Sequence, residues 1–378
     1  MAGRIWEAPV KISIAATNPC HLFPQALELA RAGALGCYYS GYPAWKLGAP
    51  PGVPVRTHSL RTTIVYGALK YLPEPLRPGA RSLFLWQDHG FDAWVGRALE
   101  PCDAFHAMPG QALRGFERAR SLGVRTVLNH ATGPVRDWVR MMTPEYERVG
   151  LRLTDHCPYD AAYFAREDRE YALADYHCAA STVVRDQLLR LGIASERIIV
   201  APYGADPAIF NTQGRIEPEK FRIVFAGQLG LRKGLRTLLE ALEKADRPGW
   251  EMHFYGSEAP EARHDLAAYG GPTPLTRHGS VGQRQLADAF RHASVLVLPS
   301  LEEGFGLVIP QALNCGLPCI VSNSVGGKDL IRHRENGSIF PCEDAQVLAE
   351  ELFWWSENWH AVCECHPWEV MKMMNVER

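Results

Sequence analysis

Several sequence patterns that identify large enzyme families are missing from this chain of 378 residues. The stretch "GQLGLRKG" (227–234) has glycines and a lysine, but not in the order of a nucleoside-triphosphate phosphate loop. No glycine follows the first predicted strand in "AATNPCHLF" (15–23), and "GFGLVI" (304–309) has Ile309 where a dinucleotide fingerprint needs its third glycine. These absences argue against a P-loop enzyme and against a dehydrogenase.

Metal-binding patterns are also scarce. The chain has no Asp-x-Asp pair that could hold a divalent metal against a diphosphate, and no pair of its 10 cysteines has Cys-x-x-Cys spacing. One local group has a spacing that fits no standard ligand pair, so coincidence on a helix is favoured over a zinc site: His360, Cys363, Cys365 and His366. We therefore expect no metal and no resident cofactor.

Signals for membrane insertion or secretion are absent too. No apolar run reaches the roughly 18 residues that a transmembrane helix needs. Residues 1–16 have a charge within their apolar run and no small-residue cleavage site, unlike a secretory signal. We expect a cytoplasmic protein with reduced thiols and no transmembrane segment.

Charge is distributed unevenly along the chain. Residues 1–200 hold 23 Lys and Arg against 19 Asp and Glu, whereas residues 201–378 hold 17 against 23. A basic stripe with interleaved aromatic residues is lacking, so we expect no nucleic-acid partner. The basic half suits an anionic acceptor or the inner face of a membrane, and an ordinary solvated surface explains it equally well.

Short apolar runs alternate with amphipathic stretches, which predicts an α/β protein with parallel sheets covered on both faces. In the first half, the alternating elements are predicted at 10–16, 24–33, 82–87 (a strand), 92–99 (a helix), 103–108, 111–123, 124–130, 173–181, 183–192 and 197–204. In the second half, they are predicted at 221–227, 233–245, 250–256, 284–293, 294–300 and 318–324.

Turn-forming residues without periodicity at 205–220 predict a domain boundary. We expect Rossmann-like domains at 1–205 and 206–350 that face each other across a cleft, followed by C-terminal helices at 351–378 that pack back on the first domain. In open parallel sheets, ligands bind beyond the carboxyl ends of the strands, so these ends are where site residues are expected.

Two cations follow the strand predicted at 221–227. Arg232 and Lys233 come five and six residues after Gly227 and lead into the next predicted helix. Cations oppose the helix dipole there, so a helix that begins at this point gains from a bound anion. A planar guanidinium and a compact ammonium group suit a diphosphate, although two incidental cations at a solvated helix start are the plain alternative.

The stretch "PSLEEGFGLVIPQALNCGLPCIVS" (299–322) supplies the second half of this hypothetical site. Gly304 and Gly306 allow close approach of the backbone to a ligand. The N–H groups of Leu307 and Val308 would begin a helix and receive a phosphate.

Carboxylate and amide side chains flank this glycine loop. Glu303 would lie above the loop and bind sugar hydroxyls, and an exposed acidic turn is the plain alternative for Glu302 and Glu303. Gln311 follows Glu303 by eight residues, on nearly the same helical face, where an amide can bind ribose hydroxyls.

Three stretches resemble the retaining glycosyltransferases of family 4, which have the GT-B fold: "FAGQLGLRKG" (225–234), "PSLEEGFGLVIPQALNCGLPCIVS" (299–322) and "RIIVAPYGADPAIF" (197–210). Their order and spacing match over most of 195–345. The first half matches more loosely, through "ADYHCAASTVVRDQLLRLGI" (174–193) and His130. The tail "HPWEVM" (366–371) is similar to the closing segment of that family.

The resemblance implies that a nucleotide diphosphate sugar binds without a metal. Arg232 and Lys233 would hold its diphosphate. Glu303 would bind the sugar near its 3- and 4-hydroxyls, and the N–H groups of Leu307 and Val308 would contact the phosphate and the sugar.

The resemblance also implies roles for residues outside these loops. Val281 would lie beside the base, and His130 would lie in the cleft near the 6-hydroxyl of the sugar, although a satisfied core histidine is the alternative for His130. The family has a glutamate where this chain has Gln311. The ribose contacts therefore lose a charge, which would weaken binding or change the preferred nucleotide.

The acceptor side departs further from the family. Where family members often carry a glycine pair after the first strand, this chain has Asn18 and His21. Asp88 and His89 follow the strand predicted at 82–87, where they would contact an acceptor or, as we favour, cap the next helix.

The sequence therefore predicts a retaining, metal-independent glycosyltransferase with a front-face mechanism. UDP-sugar is favoured as the donor over GDP-sugar, and the acceptor is left open among a glycan, a lipid-linked and a small-molecule hydroxyl, as is peripheral contact with a membrane. One alternative is a sugar-nucleotide epimerase of the same fold, whose acid and base groups would come from His89, His130 and Glu303. Another is a non-catalytic sugar-nucleotide-binding subunit, which only Gln311 supports.

Overall fold

The computed structural model describes residues 10–72, 80–155, 157 and 159–359. Its first sheet has seven strands in the order β3-β2-β1-β4-β5-β6-β7, with parallel pairing from β3 to β6. The strands are β1 Ile12–Ala16, β2 Leu35–Ser40, β3 Val55–Thr57, β4 Ala104–Ala107, β5 Arg125–His130, β6 Tyr176–Ala179 and β7 Ile198–Val200.

The helices of the first half connect these strands. They are α1 Leu22–Arg31, α2 Ala44–Leu47, α3 Leu60–Tyr71, α4 Ala80–Ala98, α5 Leu113–Ser121, α6 Val135–Arg148, α7 Ala161–Leu173 and α8 Thr182–Arg190. Several of these elements fall outside the sequence prediction, among them β2, β3, α3, α6 and α7. The sequence predicts β1, β4 to β7, α1, α5 and α8, but it misses the largely buried strand β2 and the amphipathic helix α6.

One predicted element has the wrong type. Residues 82–87, predicted as a strand, lie inside α4. A short apolar run has no periodicity that separates a buried strand from a buried helix, and here Phe91 and Val95 are buried one turn apart further along the same helix. Asp88 and His89 therefore lie in the interior of a helix, so they neither end a strand nor cap the following helix.

The second sheet has six parallel strands in the order β10-β9-β8-β11-β12-β13. The strands are β8 Arg222–Ala226, β9 Glu251–Tyr255, β10 Leu275–Arg277, β11 Val295–Leu298, β12 Cys319–Ser322 and β13 Gly337–Phe340. The helices are α9 Leu235–Ala245, α10 Ala262–Ala268, α11 Gln283–Arg291, α12 Val308–Asn314 and α13 Ala345–Asn358.

The central strands of the second sheet are buried on both faces. Every residue of β11 and β12 is buried, as the continuous apolar runs of a parallel sheet between two helix layers require. On one side, α9 and α13 pack against each other, and Trp355 of α13 is fully buried with its indole N–H donating to Ser338 Oγ at 2.9 Å. This core holds the loops at the carboxyl ends of the strands.

The chain divides into two compact units. Unit 1 comprises residues 1–130, 154–179 and 192–199, and unit 2 comprises 131–153, 180–191 and 200–378. The segments containing α6 and α8 therefore belong to unit 2, although they precede the strands of the second sheet in sequence. The domain limits predicted at 205 and 350 stay predictions.

Residues 360–378, which include the four potential zinc ligands and most of the predicted C-terminal helices, lie outside the described residues. Within the described part, no helix has the length and apolar character that crossing a membrane would require.

Candidate functional site

A tight turn between β8 and α9 carries Arg232 and Lys233. Leu231, in the same 3-10 turn, is buried and fixes the turn to the core. Gly234 then begins α9 with a φ of 68°, and a Cβ at this position would lie 1.9 Å from the carbonyl oxygen of Pro299. Only glycine fits both the left-handed backbone and this close approach, so the two cations have a fixed position before α9.

The loop after β11 carries Glu302 and Glu303 to the same place. The N–H of Leu301 donates to the carbonyl oxygen of Arg232 at 2.9 Å and joins the two loops directly. On the other side, the N–H of Gly326 donates to the carbonyl oxygen of Glu303 at 2.8 Å. These backbone bonds determine where the two carboxylates lie.

Two cations and two carboxylates form one cluster at this edge of the second sheet. Nη1 of Arg232 lies 3.4 Å from Oε2 of Glu302 and 3.4 Å from Oε2 of Glu303. Nζ of Lys233 forms an ion pair with Oε2 of Glu303. The structure thus joins side chains about 70 residues apart in sequence. The meeting of Arg232, Lys233 and Glu303 is therefore observed, while their roles in binding stay predictions.

The cluster is only partly exposed to water. The side chains of Lys233 and Glu303 are 13% and 14% exposed, and that of Arg232 is 35% exposed. Burial lowers the pKa of Lys233, although the Glu303 carboxylate acts to raise it. Burial also raises the pKa of Glu302, against the attraction of Arg232. Charges that are incompletely hydrated interact with an incoming ion more strongly than charges in bulk water.

The glycine loop leads into α12 as predicted. Gly306 has a φ of 84°, and Leu307 is the N-cap residue, with no side-chain hydrogen bond to cap the helix. Val308 begins the helix, and Pro310 falls in its first turn, where the missing N–H costs least. Gln311 is partly buried on the next turn.

A segment that the sequence reasoning missed also borders the cluster. A Cβ on Gly304 would lie 2.1 Å from the carbonyl oxygen of Ala131. The backbone of Gly133 hydrogen-bonds the carboxylate of Glu302. The segment lies far from the motif in sequence, so no local pattern places it beside Glu302.

Val281 lies in the loop between β10 and α11, at the same edge of the sheet, and is partly exposed. Near the start of this loop, the ring of His278 stacks on Tyr255 with centroids 4.3 Å apart and planes 4° apart. His253 approaches from β9, with its Nδ1 3.0 Å from Nε2 of His278. Contact between Val281 and a base stays a prediction.

His130 ends β5 but is only 1% exposed. Its Nε2 lies 3.0 Å from Nδ1 of His177, and its ring meets that of Tyr171 edge-on at 5.2 Å. Burial lowers the pKa of His130 well below its ordinary value, and the neighbouring His177 adds to this effect. The surroundings are those of a core histidine, and contact with a sugar stays a prediction.

The four residues predicted on the acceptor side all belong to unit 1. Nε2 of His21 lies 3.2 Å from Oδ1 of Asn129, and Oδ1 of Asn18 accepts a hydrogen bond of 3.5 Å from Tyr66. Asp88 and His89 lie side by side on α4, where His89 is exposed.

Asp88 connects α4 to the end of β1. Its carboxyl hydrogen-bonds the Thr17 side chain, and burial raises its pKa to about 6. The Thr17 hydroxyl donates to Oε1 of Gln111 at 2.7 Å. The bond to Thr17 lowers the pKa of Asp88, as a hydroxyl that donates to a carboxylate does, so Asp88 and Gln111 compete for the single hydrogen of Thr17.

Two further buried acids near Asp88 have a structural explanation. Oδ1 and Oδ2 of Asp92 accept from the N–H groups of Gly115 and Arg114, each at 2.9 Å. Glu170 accepts from the N–H groups of three residues that precede or begin α5: Gly110, Ala112 and Leu113. These carboxylates satisfy a helix start that has no side-chain cap of its own.

In the described part of the chain, no group of three or more His, Cys, Asp or Glu side chains is arranged to hold a metal ion. The potential zinc ligands at 360–366 are outside the residues that the structure describes.

Comparison with known proteins bears on the second half most directly. Residues 209–365 match the family model described as glycosyl transferases group 1. The D-inositol 3-phosphate glycosyltransferase of Paenarthrobacter aurescens is 31% identical over 182 residues, which are 43% of this chain and 44% of the relative. The lipopolysaccharide 1,6-galactosyltransferase of Salmonella typhimurium is 25% identical over 193 residues, 47% of this chain and 52% of the relative. The chain thus spans about half the length of these curated relatives.

Solved structures cover nearly the whole chain. HepE of Anabaena, in a complex with UDP and glucose, superimposes with a TM-score of 0.65 at 14% identity, over 97% of this chain and 98% of that one. The predicted fold class, α/β with two Rossmann-like parallel-sheet units, is confirmed. Residues 209–365 carry the sequence features of glycosyl transferases group 1, and the two sheets have the architecture of solved GT-B proteins.

Proposed function

We propose that this protein is a retaining glycosyltransferase of family 4 that moves a sugar from a nucleotide diphosphate sugar to an acceptor hydroxyl. The observation that carries the proposal is the cluster of Arg232, Lys233 and Glu303 at the carboxyl ends of the second sheet, within the region that matches the family model. Ligands of open parallel sheets bind at this edge.

In the proposed donor complex, Arg232 and Lys233 hold the diphosphate. Glu303 now accepts from both cations, so its carboxylate and the diphosphate compete for the same donors. A diphosphate carries more negative charge than one carboxylate and would take over the pairing with both cations. Glu303 would then be free to accept hydrogen bonds from the sugar hydroxyls.

The rest of the proposed donor is bound by the glycine loops, the start of α12 and the loop before α11. Gly227 and Gly306 keep side chains away from the ligand, and the N–H groups of Leu307 and Val308 face its phosphate and sugar. Gln311 binds the ribose, and Val281 lies beside the base.

The proposed mechanism is front-face: the acceptor hydroxyl attacks the anomeric carbon from the side on which the diphosphate leaves. The bond from the anomeric carbon to the phosphate oxygen breaks, the bond to the acceptor oxygen forms, and the acceptor proton passes to the leaving phosphate. Catalysis then rests on charge stabilisation of the diphosphate by Arg232 and Lys233, without a metal or a protein nucleophile.

We assign the acceptor to unit 1, around Asn18, His21, Asp88 and His89. Asp88 is suited to bind a hydroxyl because its carboxyl is partly buried at the end of β1 and changes its protonation near pH 6. His130 would contact the donor sugar only if its ring, which is buried here, became accessible.

UDP-sugar is the proposed donor, ahead of GDP-sugar, and HepE, whose fold this chain shares, binds UDP. The proposed location is the cytoplasm. Glycan, lipid-linked and small-molecule acceptors are all compatible with the site.

Release of free nucleotide diphosphate tests the proposal. We expect purified protein to release UDP from a UDP-sugar faster with an acceptor than without it, in the presence of EDTA, and the anomeric configuration of the product, read by NMR, to match that of the donor. An epimerase would convert the donor sugar without releasing UDP, and a binding subunit would do neither. Inversion at the anomeric carbon or a requirement for a divalent metal would contradict the proposed mechanism.

A further inference from the structure

Helix α3, in unit 1, has two apolar faces, of which one is exposed. Thr62 and Val65 are buried on the inner face. On the outer face, Leu60, Ile64 and Tyr71 are 67%, 48% and 76% exposed. Their spacing of four and seven residues places them along one stripe of the helix. A surface helix normally turns its apolar residues towards the core and exposes its polar ones, so an exposed apolar stripe indicates an interaction site.

Other exposed apolar side chains belong to helices near the same edge of the sheet. Trp86 of α4 is 42% exposed and stacks with Arg61 of α3, whose guanidinium carbon lies 4.4 Å from the ring centroid. Trp45 of α2 is 79% exposed. Because β2 and β3 are neighbouring parallel strands, α2 and α3 follow their carboxyl ends at one edge of the sheet. We call this the α2–α3 surface: Trp45, Leu60, Ile64, Tyr71 and Trp86.

The chain segment that carries α2 and α3 has basic residues but no acidic ones. No Asp or Glu occurs between Glu28 and Glu74. Nζ of Lys46 lies 4.8 Å from the ring centroid of Trp45, and Nζ of Lys70 lies 5.2 Å from that of Tyr71.

The ion pairs near this surface involve other arginines. Among the described residues, the ion pairs nearby in sequence join Arg31 to Glu28 and Arg56 to Glu100. Lys46, Arg61 and Lys70 take part in none of the ion pairs recorded for the described chain. Among the described residues, the surface thus presents aromatic rings beside cations that form no ion pair.

We propose that the α2–α3 surface docks on an anionic lipid bilayer. Tryptophan and tyrosine rings are favoured at the level of the lipid headgroups, and lysine and arginine beside them gain from anionic headgroups. A second copy of the chain is a poorer occupant, because a symmetric contact would place the cations of one copy against those of the other. The contact is peripheral, since α3 lies along the surface of the bilayer.

Sedimentation with lipid vesicles tests this inference on the full chain. We expect the protein to sediment with vesicles of phosphatidylcholine and phosphatidylglycerol but not with pure phosphatidylcholine, and to dissociate as salt is raised. Lys46→Ala and Lys70→Ala should each weaken binding about fivefold. The double variant Ile64→Ser/Tyr71→Ser should weaken binding by about tenfold or more, because it removes apolar area.

Two variants at exposed positions away from this surface serve as matched controls: Ile216→Ser, which is 60% exposed, and Lys244→Ala near the end of α9. Both should bind vesicles like the parent, and an unchanged thermal midpoint confirms that each variant is folded. Equal sedimentation with neutral vesicles, no sedimentation at all, or self-association that the Ile64→Ser/Tyr71→Ser variant abolishes would each overturn the inference. Binding of UDP, measured by calorimetry, does not depend on this surface. A negative result with vesicles would therefore leave the proposed sugar transfer untouched.

Discussion

Glu303 is the central residue of the proposed donor site, because its carboxylate accepts hydrogen bonds from both cations of the cluster. Its carboxylate contacts Arg232 and Lys233 from a position that backbone hydrogen bonds determine. Removing either cation therefore changes the charge that faces a diphosphate, while the loops themselves stay joined through the main chain.

Substitution of Lys233 or Arg232 by alanine should reduce turnover about 100-fold or more, because each removes charge stabilisation of the leaving diphosphate. The thermal midpoint should change little, since the bond between Leu301 and Arg232 uses the backbone. Steady-state kinetics and thermal unfolding measure the two effects, with Lys244→Ala near the end of α9 as a control. Full activity in both variants would refute the assignment.

Gln311→Glu should retain donor binding or strengthen it. The variant restores the carboxylate that the resemblance implies for ribose contacts, and Gln311 is partly buried on the first turns of α12, where the new carboxylate would have access to a ligand. Calorimetric titration with UDP measures the change. Abolished binding would show that Gln311 does not face the ribose.

Asp88→Asn should stabilise the protein at pH 7. Burial raises the folded-state pKa of Asp88 from 3.8 to about 6, so its favourable contribution is present below about pH 4 and is lost as the pH rises through 6. Asparagine removes the buried charge, for a gain of about 2 kcal/mol at pH 7 and little at pH 4. Thermal midpoints at both pH values measure this.

Asp92→Asn, one turn further along α4, is the contrast for that prediction. Asp92 is fully buried and accepts two backbone N–H groups, and it also pairs with Arg166. Loss of this carboxylate should destabilise the protein by about 3 kcal/mol. Equal effects of the two substitutions would show that the two carboxyls have the same environment after all.

At the scale of elements, the turn before α9 depends on one glycine. Gly234→Ala should lower the thermal midpoint and the activity together, because a Cβ there would lie 1.9 Å from the carbonyl oxygen of Pro299. Gly214→Ala is the matched control: its φ of 76° is similarly left-handed, but no atom lies within 4 Å of the added Cβ. That control should cost only about 1 kcal/mol. An equal fall in thermal midpoint for the two variants would mean that the left-handed backbone alone, and not the contact with Pro299, requires glycine at position 234.

At the scale of the whole molecule, donor binding should stabilise unit 2 without a metal. Arg232, Lys233 and Glu303 all belong to that unit. A ligand at 100 times its dissociation constant adds about 2.7 kcal/mol to the stability of the form that binds it. We expect UDP with EDTA to raise the thermal midpoint and to slow hydrogen exchange in the loops after β8 and β11. A shift that appears only with a divalent cation would contradict metal-independent binding.

The sequence by itself determined most of the central strands, some of the amphipathic helices and the loops after β8 and β11, because each of these has a local signal. The apolar run of β11, the periodicity of α9 and the glycines around Glu303 are readable within a few residues. It also predicted that Arg232, Lys233 and Glu303 would meet, since carboxyl ends of parallel strands lie at one edge of a sheet.

Only the tertiary structure decided the rest. The run at 82–87 became part of a helix because its apolar side chains fit either element, and packing chose between them. Whether His130 is exposed, and which acids satisfy the start of α5, depend on neighbours far away in sequence. Such contacts leave no local pattern, since burial and charge are properties of the folded surroundings.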